Sequence, residues 1–166
     1  MRILFTHSFY PPDAPDTQGT VFLMISKPTY DDANLILRLY EMRREDRMRR
    51  ARAWFTSQFK VKTWEELQKL APGGSDENAS YRMVVTYWDM VASFITTGVL
   101  HKELFFQSGR ELLLVWERMR DVLPEVRQQY KDPNFWPHIE TVGNEFAEYF
   151  KKRSPEGYEA FLKRVK

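Results

Sequence analysis

The chain has 166 residues, 43% of them hydrophobic and 29% charged, with a formal net charge of +2 and no cysteine. Such a length fits one globular domain, which buries about 70% of the surface its unfolded chain exposes. The missing thiols exclude disulfides, thiolate nucleophiles and cysteine-ligated zinc. No apolar run approaches the roughly 18–20 residues that cross a bilayer, and the opening Met1–Phe5 run is too short for a signal-peptide core. These features predict a soluble, cytoplasmic protein without membrane insertion.

Taken in chain order, residues 1–28 stand apart. They hold four of the nine prolines, two short β-favouring runs (Ile3-Leu4-Phe5 and Val21-Phe22-Leu23) and no helical periodicity, which reads as an irregular or extended arm. Met24 offers an alternative start within it. The opening through Pro11-Pro12 is similar to the first strand and turn of nucleotide-sugar-dependent glycosyltransferases. The glycine-rich loop and following helix of that family are absent, so the resemblance is set aside.

Residues 29–166 read as a helical domain. Thr29 is placed to cap a helix from Tyr30 that carries Leu35, Ile36, Leu39 and Met42 at amphipathic spacing. A break over Arg43–Asp46 leads to a second run through Met48, Ala51, Trp54 and Phe55. Thr63-Trp-Glu-Glu66 matches a capping box, and Ala71-Pro72-Gly73-Gly74 ends the short helix that follows. The central helix spans about 76–97. Tyr81, Val84, Val85, Trp88, Val91, Ala92 and Ile95 form one stripe, flanked by Met83, Tyr87, Met90 and Phe94, so apolar residues cover most of its circumference. Gly98 stops it. Ser108-Gly-Arg-Glu111 is a second capping-box match, Pro124 bends or restarts the next helix, and Asp132-Pro133 and Ser154-Pro155-Glu156 each read as a helix start. The expectation is an all-α, compact bundle of six to eight helices around residues 76–97.

Three histidines, His7, His101 and His138, are the possible metal or acid–base centres. The pairs His101/Glu103 and His138/Glu140 lie at i,i+2, about 200° apart on a helix, and share no ligand face. No metal site and no cofactor is expected. The central helix has a narrow polar strip holding Arg82 and Asp89, with Tyr87 and Trp88 nearby. It reads as a satisfied polar network, and as the first place to look for a ligand pocket. Residues 38–52 hold seven arginines against three acids, and residues 149–166 hold six basic residues against two acids. Arg43, Arg44, Arg47 and Arg50 are the candidates for an anionic partner. At about 100° per residue the whole arginine run surrounds the axis of one helix, which favours a salt-bridged surface over a nucleic-acid face.

Four short stretches, Leu37-Arg-Leu-Tyr-Glu-Met-Arg-Arg44, Arg52-Ala-Trp-Phe55, Tyr87-Trp-Asp-Met90 and Glu103-Leu-Phe-Phe106, carry a resemblance over about residues 31–150. The chain resembles a family of small bacterial all-helical proteins catalogued only as a domain of unknown function, which implies the helical fold and no catalytic residue. With 25 aromatic residues against one core, and spare aromatics marking interfaces, the favoured function is a non-enzymatic interaction module that self-associates as a dimer. The alternatives are a nucleic-acid-associated protein using the two basic segments, and a ligand-binding protein or enzyme with a pocket near Arg82 and Asp89.

Overall fold

Side-chain caps set several of the helix starts. In a computed structural model of the protein, residues 27–166 are described. Residues 1–26 of the arm, with its two apolar runs, Met24 and His7, therefore lie outside the described residues. Thr29 accepts from the Asp32 amide and Asp32 accepts from the Thr29 amide at 2.7 Å, a reciprocal box that opens α1 (Tyr30–Met42). Glu45 accepts from the amides of Arg47 and Met48 to start α2 (Asp46–Gln58). Those two bonds hold its carboxyl below the ordinary glutamate value. Thr63 caps α3 (Trp64–Leu70) as expected, although Glu66 reaches one residue further back, to the Lys62 amide at 2.8 Å. Ser75 starts α4 (Asp76–Thr96), the predicted central helix, and Gly98 ends it at φ +75°, a conformation that suits glycine.

The remaining helices are α5 (Lys102–Ser108), α6 (Arg110–Met119), α7 (Leu123–Tyr130), α8 (Pro137–Arg153) and α9 (Pro155–Val165). The described residues thus form the expected all-α bundle, with nine helices rather than six to eight. The difference arises because the segment after Gly98 contributes a helix of its own, Lys102–Ser108, and Pro124 restarts the chain as α7.

Two predicted starts move. Ser108-Gly-Arg-Glu111 makes no side-chain cap on α6, because the Glu111 carboxylate is engaged by two arginines from other elements. A charge-assisted pair outcompetes a local cap. Asp132-Pro133 forms a turn in which Asp132 accepts from the Asn134 amide at 2.9 Å, and the helix begins four residues later at Pro137. Trp136 before it lies at φ +52°, unusual for a side chain this large. Burial against Tyr81 and Phe135 holds it there. So does Arg127, which donates to the carbonyls of Phe135 and Trp136 and pairs with Glu140 at 2.7 Å.

α4 packs most extensively on α2 and α8, and α8 in turn on α6 and α9. Eight α4 side chains are buried, among them Tyr81, Tyr87 and Trp88. Aromatic rings run through this core in contact: Phe55 stacks on Phe59 at 4.4 Å, Phe59 on Tyr81 at 5.3 Å, and Tyr81 meets Trp136 edge-on at 5.6 Å. A second stack joins Phe106 to Phe146 at 4.2 Å. Most of the aromatic surplus is therefore spent inside. Among the described residues no helix is long and apolar enough to cross a membrane.

Two polar features lock the far side. Arg118 is 7% exposed and donates to the carbonyls of Val165 at 3.0 Å and Phe55 at 2.6 Å. Both carbonyls lie in the last turn of their helices, where the helix dipole is negative. Glu117, also buried, accepts from the Tyr158 hydroxyl at 2.7 Å and from Arg120 at 3.0 Å. Between α6 and α8, a Cβ on Gly143 would stand 2.2 Å from Trp116 Cγ, so the two helices approach through a glycine. Gly143→Ala is expected to cost about 1–3 kcal/mol by overpacking, read as a lower urea midpoint with an unchanged m-value.

Candidate functional site

The four residues predicted for a pocket on α4 are dispersed. Arg82 is exposed, whereas Tyr87 and Trp88 are buried on another side of the helix. Asp89 lies two turns along α4 from Arg82 and is half-buried. Its Oδ1 accepts from the amides of His138 at 3.1 Å and Ile139 at 2.9 Å, the second and third residues of α8. Asp89 thus satisfies the first-turn amides of a neighbouring helix from across the core, where Trp136 holds the N-cap position. Tyr87 donates its hydroxyl to the Leu39 carbonyl at 2.7 Å, and burial pushes its pKa up to about 12. Trp88 and Tyr87 border a recess of about 20 Å³ with Leu39, Tyr40 and Arg43, room for roughly one water. Trp88 Nε1 is buried without a hydrogen-bond partner among the described residues.

The four arginines predicted for an anionic partner are also separated, because the chain bends between α1 and α2 and the one-helix projection does not apply. Arg43 turns inward to Glu111 at 3.0 Å, and its guanidinium lies 4.5 Å from the Tyr40 ring centre and 5.3 Å from that of Trp88. Arg52 grips the same carboxylate with two donors and also donates to the Arg43 carbonyl at 3.1 Å. Hydrogen bonding to Glu111 raises the Arg52 pKa above the ordinary arginine value. Arg44 stays outside over Tyr40 at 5.0 Å, and Arg47 and Arg50 line a recess of about 270 Å³ between α2 and α4. Arg38 and Arg49 make exposed i,i+3 pairs with Glu41 and Asp46. Among the described residues no three His, Asp or Glu side chains are grouped as a metal site.

Two features stand out for binding. The first is the outer face of α1. This helix sits at the periphery against α5, pinned by the Tyr87–Leu39 bond, by Arg43 and by Asp32, whose Oδ1 accepts from the His101 amide at 2.7 Å. Its solvent side exposes Tyr30 (79%), Leu37 (62%), Met42 (53%) and Tyr40 (47%), four of the six large hydrophobic residues most exposed among those described. The second is a recess to which both basic segments contribute, bordered by Arg52 of the first and Arg164 of the second. Sequence reasoning passed over Glu111, taken as a local cap, and over Arg118. No local pattern marked Arg118, which falls with Arg110, Glu111 and Glu117 on the polar side of α6 at about 100° per residue.

The Glu111 cluster and the Asp32 anchor make different predictions. Glu111→Gln leaves two half-buried arginines without their carboxylate and is expected to cost about 1–3 kcal/mol. Glu41→Gln, at an exposed pair, is expected to stay within about 0.5 kcal/mol; urea melts compare the two. Asp32 is held below the ordinary aspartate pKa by hydrogen bonds from Thr29 and the His101 amide. Its contribution to stability is therefore complete above the ordinary carboxyl range and is lost as pH falls through the lowered value. Asp32→Asn should lower the melting temperature at neutral pH and converge with the wild type in acid; a constant offset across pH would contradict this.

The comparisons with known proteins address the family alone. The family described as a domain of unknown function, DUF4760, matches residues 28–146, which takes in α1 to α7 and part of α8. No curated protein and no solved structure matches the chain. With well over half of its length matched, the chain belongs to the DUF4760 family of domains of unknown function.

Proposed function

We propose that this domain is a non-enzymatic interaction module that self-associates through the outer face of α1. The observation carrying this reading is the concentration of exposed tyrosine, leucine and methionine on one 13-residue peripheral helix. Aromatic residues, methionine and arginine are the side chains enriched at protein interfaces, and the exposed Arg44 follows the end of α1.

The face is also self-complementary. Tyr30 and Leu37 lie two turns apart on the side of α1 opposite the buried Asp32 and Leu39. A two-fold axis at Leu37 would set two α1 helices antiparallel and bring Asp31 of one copy toward the exposed Arg44 of the other. An isologous contact needs such self-complementarity. One pair of short helices buries less than the ~1,200–2,000 Å² of a stable specific interface, so the association is expected to be weak and concentration-dependent.

Light scattering and native mass spectrometry across a concentration series test this directly. The wild type should pass from monomer to dimer, and Leu37→Asp should remain monomeric with unchanged helical circular dichroism. A wild-type chain that stays monomeric at high concentration, or a Leu37→Asp variant that still dimerises, would refute the reading.

A further inference from the structure

We infer that the arginine-lined recess between α2, α6 and α9 is a binding site for a compact polyphosphate group, free or carried by a small organic molecule. Arg52, Arg110, Arg118 and Arg164 border the recess, together with Thr56 and a single carboxylate, Glu111. Glu111 is already occupied by Arg43 and Arg52. Arg110 and Arg164 make no ion pair among the described residues, and the Arg110 guanidinium rests 4.5 Å from the Phe150 ring centre, which fixes its direction.

Arg118 makes this more than a surface cluster of charge. Its side chain is buried, where an arginine is ordinarily paired with a carboxylate. Here the partners are two backbone carbonyls, reached by Nε and Nη1. Nη2 makes no hydrogen bond among the described residues and is not fully enclosed, on a residue that borders the recess. Burial lowers its pKa from the ordinary arginine value, yet a guanidinium remains charged in proteins. A buried cation bordering the recess, with Nη2 unbonded among the described residues, is a preset donor for phosphate oxygens.

Size and lining select the class of anion. The recess holds about 520 Å³, within the range of small-ligand sites. Half-buried Leu114, in the lining beside Phe161 and Val165, offers apolar contact to an organic portion. A neighbouring recess of about 520 Å³ shares Arg110 and Arg164 and adds Arg153 and Ser154, extending the positive surface. A nucleic-acid strand fits less well. The rings of Phe106, Phe150 and Phe161 are buried, and half-buried Tyr149 packs on Phe106 and Phe146, which leaves no run of free stacking faces. Arg44, Arg47 and Arg50 lie away from both recesses, so no long phosphate track forms.

Isothermal titration of the full chain with inorganic pyrophosphate, adenosine diphosphate and oligothymidylate tests the assignment. Pyrophosphate or the nucleotide should bind, and the tighter of the two tells whether the organic portion is held. Arg110→Gln and Arg164→Gln, both exposed, should each weaken binding about ten-fold, with melting curves unchanged. Arg47→Gln should leave the affinity as it is. Arg118→Gln is expected to weaken both binding and folding, so the exposed pair carries the test. Absence of binding by both phosphate probes, an equal loss in Arg47→Gln, or binding of oligothymidylate alone would overturn the inference. Binding retained by Leu37→Asp would separate this site from self-association.

Discussion

Neighbouring helices shield α4 from water on several sides. Tyr81, Val84, Val85, Tyr87, Trp88, Val91, Ala92 and Ile95 are all buried, and an apolar circumference of this width needs neighbours on several sides. α2 and α8 provide most of that cover, and α6 and α9 pack on α8 in turn. The stacked rings of Phe55, Phe59 and Tyr81 make the α2–α4 contact rigid as well as large. The other helices are positioned by what remains exposed once α4 is enclosed.

Carboxylates complete this packing in a recurring way. Asp89 of α4 serves the first turn of α8, Glu125 of α7 accepts from the Trp64 amide that opens α3 at 2.6 Å, and Asp32 of α1 accepts from His101, which precedes α5. In each case the free amides at a helix start find an anion on another helix, in the favourable sense of the helix dipole. Such bonds tie secondary structure to tertiary structure, since neither helix start is satisfied alone. Asp89 illustrates how a conspicuous polar residue on an apolar helix answers a backbone requirement elsewhere.

The arginines divide by partner. Arg38 and Arg49 pair locally on the surface, Arg43 and Arg52 converge on Glu111, and Arg118 neutralises the carbonyl ends of α2 and α9. The bend between α1 and α2 is what breaks the apparent basic stripe into these separate environments. It also leaves α1 held at a few points, with its apolar outer side free, while Arg52 is carried toward α6 and α9.

Periodicity and capping residues by themselves determined the all-α class, the bend before Asp46, the central helix and the stops at Gly73-Gly74 and Gly98, because these rest on contacts within a few residues. Ser154-Pro155 likewise marked α9. Local spacing said nothing of which donors would claim Glu111 or Asp89, since a charge-assisted bond to a distant element can outcompete a nearby cap. For the same reason Asp132-Pro133 looked like a helix start although α8 begins only where Asp89 reaches it. The meeting of Arg52, Arg110, Arg118 and Arg164 around one recess was decided by tertiary structure alone. Their proximity depends on how three helices pack, and no spacing along the chain encodes it.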